Sequence, residues 1–222
     1  MTFNYAYALQ ILPQLLRATL LTFEATIGGM LLALIGGLIL AVMRLSGARA
    51  LGYLAQGIIE FVRGTPLLIQ LYFLFYVLPL YGIRLNALFT GIVGLGLHYS
   101  TYTAEVYRAG IEGVPRGQWE AAAALNFPRL HTWTRLVLPQ AVPPILPVLG
   151  NYLIAMFKDT PLLATITVLE LLGTAQADAA MTYRYFEPYT LVGLIFLALS
   201  YPSALLVRRL ETRIASQRRH AQ

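Results

Sequence analysis

Residues Ala25–Met43 read Ala-Thr-Ile-Gly-Gly-Met-Leu-Leu-Ala-Leu-Ile-Gly-Gly-Leu-Ile-Leu-Ala-Val-Met, 19 residues without one Asp, Glu, Lys or Arg. A helix crossing a hydrocarbon core needs about 20 mostly apolar residues. Four further charge-free windows follow: Gly64–Ile83, Leu85–Ala104, Leu136–Phe157 and Pro188–Val207. Buried helices of a soluble protein would carry polar faces instead. The composition agrees, with 58% hydrophobic and 12% charged residues in 222 and a mean hydropathy of +0.65. Soluble domains average about 25% charged residues. So few charges cannot coat a water-facing surface, and disorder is excluded by the hydrophobicity. The chain reads as a single all-α integral membrane domain over residues 1–222. Its five expected transmembrane helices cover roughly 15–43, 54–80, 89–111, 136–157 and 189–207.

Basic residues orient such a chain. With the N-terminus outside, the cytoplasmic segments hold Arg44, Arg49, Arg116, Arg129, Arg135, Arg208, Arg209, Arg213, Arg218 and Arg219. The outer segments hold only Arg84, Lys158 and Arg184. The bias predicts an external N-terminus and a cytoplasmic C-terminus. The uncharged first sixteen residues lack the basic region of a secretory signal, so no cleavage is expected. The basic run from Arg208 to His220 reads as a helix end meeting anionic headgroups. No aromatic residue interleaves its arginines, so nucleic acid is not expected as a partner.

In the first span Ala25, Gly29, Ala33, Gly37 and Ala41 recur every four residues. This smooth stripe invites close approach of another backbone. The second and third spans each carry an acid–base pair, Glu60 with Arg63 and Glu105 with Arg108. Three residues apart puts each pair on one helix face. The pairs are expected at similar depth near the cytoplasmic side, interacting across the two spans. They read either as a static staple or as a gate on a solute path. Pro139, Pro143, Pro144 and Pro147 predict a broken fourth span, since proline removes a backbone donor. Asn151 lies within that span, and Lys158 and Asp159 near its outer end. Asn151, with Thr65 and Gln70, is the expected contact for a polar solute, the alternative being a helix–helix hydrogen bond. A short helix, Thr167–Leu172, is expected in the outer segment that follows.

The loop 112–135 contains Pro115-Arg-Gly117-Gln-Trp119-Glu120-Ala121-Ala122-Ala-Ala-Leu-Asn126-Phe127-Pro128. Alanine favours helix, two prolines bracket the run, and Asn126 suits a left-handed helix end. A short cytoplasmic helix is therefore expected as a docking element. Ala121–Ala124 would seat closely in a groove, Trp119 and Phe127 would anchor it, and Glu120 would meet a basic group. Catalysis has no support. There is no cysteine, and the single lysine, Lys158, is not in a Gly-Lys-Ser/Thr loop. His98, His131 and His220 have no metal-ligand spacing.

At this loop the sequence resembles the permease subunit of bacterial ATP-binding-cassette importers. That family's signature runs Glu-Ala-Ala, three residues, Gly, nine residues, an aliphatic, one residue, Leu-Pro. It falls here on Glu120, Ala121, Ala122, Asn126, Leu136, Leu138 and Pro139, with Asn126 in place of glycine. Glu60–Gln70, Ala104–Ile111, Leu138–Ala141 and Phe157–Leu162 resemble the polar-amino-acid subfamily, Pro161 standing where serine is usual. The resemblance runs from about Leu15 to Glu211. It implies a multi-pass protein of the bacterial inner membrane that is not itself an enzyme. Its partners would be a second permease, identical or paralogous, and two ABC ATPase subunits that hold the ATP and magnesium. A periplasmic or extracellular solute-binding protein would deliver an amino acid or a similar zwitterion. This chain would bind no cofactor, and the 115–127 helix would couple ATP chemistry to transport. The alternative is a stand-alone secondary transporter or channel, a class that usually shows internal repeats.

Overall fold

The computed structural model describes residues 3–220. Met1, Thr2, Ala221 and Gln222 lie outside the described residues, as do the side chains of Arg218, Arg219 and His220 in the basic run. The described residues are mostly helical, with no strand among them.

Helix α1, Tyr5–Leu45, is 41 residues long, a rise of about 62 Å. It starts ten residues before the expected boundary because the Asn4 side chain caps it, accepting from the Tyr7 N–H at 3.1 Å. Helix α2, Arg49–Arg63, and α3, Leu67–Tyr72, replace the expected straight second span. The α3 segment continues through a π turn and a 3-10 turn to Tyr81, and its axis is bent 99° from α2. Pro66 explains the break, since it has no N–H to offer Val62 and pushes Thr65 out of the helical region. The carbonyls freed there are not left bare. Gln70 Nε2 donates to the Val62 oxygen at 2.6 Å and to the Thr65 oxygen at 3.0 Å.

Helix α4, Ala87–Glu112, lies along α1 and forms the most extensive packing in the chain. Ala25, Ala33 and Ala41 are almost fully buried there, as the small-residue stripe predicts. The pairing of Gly29 with Leu95 and of Gly37 with Thr103 shows that the two helices run parallel. Thr103 Oγ1 donates across the contact to the Ala33 carbonyl at 2.7 Å.

Helix α5, Arg116–Ala124, is the expected short loop helix. Helix α6, Arg129–His131, runs through a π-helical stretch, Thr132–Val137, into α7, Leu138–Asp159. The fourth span is thus continuous, with Pro143, Pro144 and Pro147 inside it, and the expected break does not occur. The irregularity is displaced to the π stretch just before Pro139, where i→i+5 bonding leaves room for a residue without a donor.

After a 3-10 turn, Thr160–Ile166, helix α8 spans Leu171–Thr182. The expected helix at Thr167–Leu172 is therefore shifted. Thr167 takes a left-handed φ of 68° and ends the 3-10 turn, and Glu170 caps the new helix by accepting from Gly173 N–H at 2.8 Å. Glu170 is fully buried, and that burial pushes its carboxyl above the usual carboxylate range. Helix α9, Phe186–His220, closes the chain and runs past the expected end at Val207.

Among the described residues, three helical stretches are long and apolar enough to cross a membrane: Tyr5–Leu45, Arg129–Ile166 and Phe186–Ile214. The bent α2–α3 pair adds a fourth if it counts as one span. Helix α4 is 26 residues long and reaches about 39 Å. Polar residues such as His98, Thr101, Glu105 and Arg108 lower its hydropathy.

Candidate solute pathway and docking loop

Arg63, the last residue of α2, reaches α4 beside the break. Its Nη2 donates to the Thr101 carbonyl at 2.9 Å, and its guanidinium carbon lies 4.4 Å from the centre of the Tyr102 ring. Gln70 Oε1 lies 3.2 Å from His98 Nδ1, and Thr65 Oγ1 accepts from Gln70 Nε2 at 2.8 Å. The rings of His98 and Tyr102 are 5.3 Å apart, and Tyr152 of α7 lies 5.6 Å from Tyr102. The Tyr99 hydroxyl, on the same helix, donates to Asp159 Oδ2 at 2.7 Å. A cation, a carboxylate and a group of half-buried aromatic rings therefore converge beside irregular backbone. Discontinuous helices form solute sites in transporters for this reason, because the break presents backbone and side-chain dipoles at depth.

Further along the same face of α4 is a chain of ion pairs. Arg44 of α1 pairs with Glu105, Glu105 with Arg108 at 2.7 Å, and Arg108 with Glu112 at 2.5 Å. Residues 98, 102, 105, 108 and 112 recur at helical spacing, giving α4 one polar stripe.

The expected pairing across spans two and three needs correction. Glu105 and Arg108 do pair, but Glu60 does not meet Arg63. Glu60 stays on the exposed face of α2, where Gln56 Nε2 donates to it. Arg63 reaches α4 through a carbonyl and a ring instead. Asn151 is exposed and donates to Glu211 Oε1 of α9 at 3.1 Å, so its side chain makes the helix–helix bond. Lys158 lies on the α9 side of α7, in a cleft with Phe196 and Tyr201. Of the candidate pathway residues, the structure gathers Arg63, Thr65, Gln70 and Asp159. Glu105 and Arg108 join the ion-pair chain, and Glu60, Asn151 and Lys158 lie elsewhere. Sequence reasoning missed His98, Tyr99, Tyr102 and Tyr152, which lie in windows read only for their lack of charge. The i, i+4 recurrence of His98 and Tyr102 ahead of Glu105 was the available signal.

In the loop, Val114 is buried against Val137, Ala141 and Ile145. Trp119 packs edge-on against Trp133 with ring centres 5.4 Å apart. Ala122 is only 3% exposed. Trp119 and Ala122 therefore seat α5 on the rest of the chain, which corrects their expected role as outward contacts. Gly117, Glu120 and Ala121 remain exposed. Asn126 has a φ of 53°. The Phe127 and Asn126 N–H groups donate to the Ala122 and Ala123 carbonyls, both at 3.0 Å, the double bond of a Schellman ending. Around it, Leu125, Phe127 and Leu130 are apolar and 66%, 37% and 76% exposed. Leu125 and Leu130 went unread in the sequence because no local pattern distinguishes them.

The φ at Asn126 yields a direct expectation. Asn126→Gly should preserve thermal stability, since glycine adopts this conformation freely. Asn126→Val should cost roughly 1–3 kcal/mol locally, because a β-branched residue resists positive φ. Limited proteolysis at the loop would read the difference, and equal cleavage of the two variants would refute it.

Residues 33–216 match the family described as the binding-protein-dependent transport system inner membrane component. A probable amino-acid ABC transporter permease protein of Sinorhizobium fredii is 44% identical over 203 residues, covering 91% of this chain and 88% of that protein. A similarly named Vibrio harveyi protein is 39% identical over 199 residues, 88% of this chain and 89% of its own length. Among solved structures, an amino acid ABC transporter with histidines aligns at a TM-score of 0.89. It is 32% identical, covering 96% of this chain and all of that one. An inward-facing MetNI methionine ABC transporter aligns at 0.70 with 20% identity, a likeness of fold alone, over 96% of this chain and 99% of its own. The family match over most of the chain, the relatives and the shared fold lead to one assignment: this chain belongs to the binding-protein-dependent transport system inner membrane components.

Proposed function

We propose that the chain is the permease subunit of an ATP-binding-cassette importer that carries an amino acid or a similar zwitterion across the bacterial inner membrane. One observation carries the cargo class. Arg63 and Asp159, opposite in charge, stand at the two sides of a half-buried group of aromatic rings. A guanidinium suits a carboxylate. A carboxylate and ring faces suit an ammonium. A zwitterion presents both ends.

In this reading α1, the broken α2–α3, α4, α7 and α9 are five spans, with the N-terminus outside and the C-terminus in the cytoplasm. A second permease copy or paralogue completes the pathway. Two ATPase subunits hold ATP and magnesium, and an external binding protein delivers the solute. Helix α5 with its exposed apolar end is the coupling element, and the Arg44–Glu105–Arg108–Glu112 chain ties it to α1 through α4.

The test uses vesicles containing the permease pair with its ATPase and binding protein. Labelled amino acid uptake should follow ATP hydrolysis. Tyr102→Ala and Arg63→Gln should each lower uptake about tenfold or more, the scale of a desolvated cation–π or charge contact, with ATPase pull-down intact. Uptake indifferent to both changes would remove the site, and vesicles that accept no amino acid would remove the cargo class.

A further inference from the structure

Gln70 does more than close the break in the backbone. Its Nε2 lies 2.6 Å from the Val62 carbonyl oxygen, 3.0 Å from the Thr65 carbonyl oxygen and 2.8 Å from Thr65 Oγ1. Exchanging the oxygen and nitrogen of this amide would set an acceptor against two carbonyl oxygens, so the network assigns which is which. Gln70 Oε1 therefore faces His98, and an amide oxygen only accepts. The proton in that 3.2 Å contact sits on His98 Nδ1. In a neutral imidazole the other nitrogen, Nε2, is then an acceptor directed away from Gln70.

That acceptor is free. His98 is half-buried, and its Nε2 makes no hydrogen bond among the described residues. The sealed side-chain atoms that lack a partner among the described residues are Gln56 Oε1 and Ser200 Oγ, so His98 Nε2 is unpaired without being sealed. The ring also touches both arms of the charged cluster. Its centre is 5.3 Å from that of Tyr102, which bears Arg63. It is 5.6 Å from that of Tyr99, whose hydroxyl donates to Asp159 Oδ2. Asp159 Oδ1 has no partner among the described residues. An imidazole acceptor and an open carboxylate oxygen thus both adjoin Tyr99, and an ammonium has N–H groups for each.

Resting on the solute site of the proposed function, the geometry points to His98 as the residue that sets its selectivity. His98 Nε2 accepts an N–H of the cargo ammonium, while the cargo carboxylate faces Arg63. The pathway therefore favours amino acids that carry N–H over their fully N-methylated forms. A trimethylammonium keeps the positive charge and still suits a carboxylate and ring faces. It has no hydrogen to give, and it leaves Nε2 unpaired against methyl groups. A site built to hydrogen-bond an N–H rejects the analogue lacking it more strongly than an apolar pocket rejects an added group. The carbonyls freed at Pro66 thus decide, through Gln70, which edge of His98 the cargo meets.

The test is equilibrium binding to the solubilised permease–ATPase complex without the external binding protein, at about pH 8, above the usual imidazole range. The probe is the labelled amino acid that the vesicles take up, competed by its unlabelled form and by its α-N-trimethyl derivative. On the wild type the trimethyl form should compete at least about tenfold more weakly, the scale of one hydrogen bond to a charged group. His98→Phe keeps a ring in the cluster but loses the acceptor, and should weaken the amino acid by about tenfold or more. His98→Gln returns an amide oxygen at similar reach and should recover most of that affinity. Equal competition by the two forms on the wild type, wild-type affinity in His98→Phe, or a loss that His98→Gln does not recover would each overturn the proposal. If Arg63→Gln abolishes binding while His98→Phe does not, the solute site stands and the role of His98 falls. A wild-type complex that binds no amino acid overturns both.

Discussion

Glutamate at both Leu125 and Leu130 is expected to abolish solute-driven ATP hydrolysis while leaving the permease inserted. These are the most exposed leucines of the loop, one on each side of the Asn126 turn, and they belong to no core cluster. Buried apolar anchors at protein interfaces are worth about 2 kcal/mol or more each, and each 1.4 kcal/mol is about tenfold in affinity. Two charged replacements should therefore weaken ATPase docking by roughly two to three orders of magnitude. Pull-down of the ATPase from solubilised membranes gives the direct measure, and vesicle hydrolysis the functional one. Docking at wild-type strength would show that this surface faces something else. Ala122 is the wrong place to probe docking, because it is buried within the chain and a bulky residue there would unseat α5 itself.

Gly37→Leu should have the largest effect on folding. A Cβ at Gly37 would stand 1.9 Å from Thr103 Oγ1, and 2.9 Å from both the Ala104 nitrogen and the Ser100 carbonyl. A side chain can rotate away, but two backbone atoms of α4 cannot. The parallel α1–α4 contact would have to separate, breaking the Thr103–Ala33 bond with it. Overpacking commonly costs about 1–3 kcal/mol, and a backbone clash belongs at the upper end. For a chain of this size about 3 kcal/mol corresponds to roughly 6–12 °C in melting temperature. Gly57→Ala and Gly193→Ala are the controls, since nothing stands within 4 Å of either added methyl. A Gly37→Leu melt within a degree of wild type would refute the packing account.

Much of the helical architecture can be read from charge alone. Charge-free windows locate the long apolar helices, though not their ends, because an unpaired charge in hydrocarbon is costly whatever the tertiary arrangement. The stripe from Ala25 to Ala41 reads for a similar reason, since small residues permit close approach anywhere. Breaks are harder. Four prolines in α7 suggested a break and one in Gly64-Thr65-Pro66 did not, yet the structure bends at Pro66. Which proline breaks a helix depends on where neighbouring side chains can satisfy the freed carbonyls, and Gln70 does this from a turn away. The site suffered from the same limit. Arg63 and Gln70 stood out as polar residues, but Tyr102 and Tyr152 look like any membrane aromatic until α4 and α7 bring them together. Partner choice among charges is tertiary as well: Glu105 takes Arg44, 61 residues away in the chain.

The pair of indoles on the docking loop has a practical consequence. Trp119 and Trp133 are the two tryptophans of the chain, and they touch each other at the foot of α5. Excited at wavelengths that tyrosine does not absorb, the purified chain therefore emits from this one place. No label is needed to watch it. Any ligand, nucleotide state or companion subunit that tilts α5 against the π-helical stretch will change the environment of both indoles together, and changes confined to the rest of the chain will leave their emission as it was.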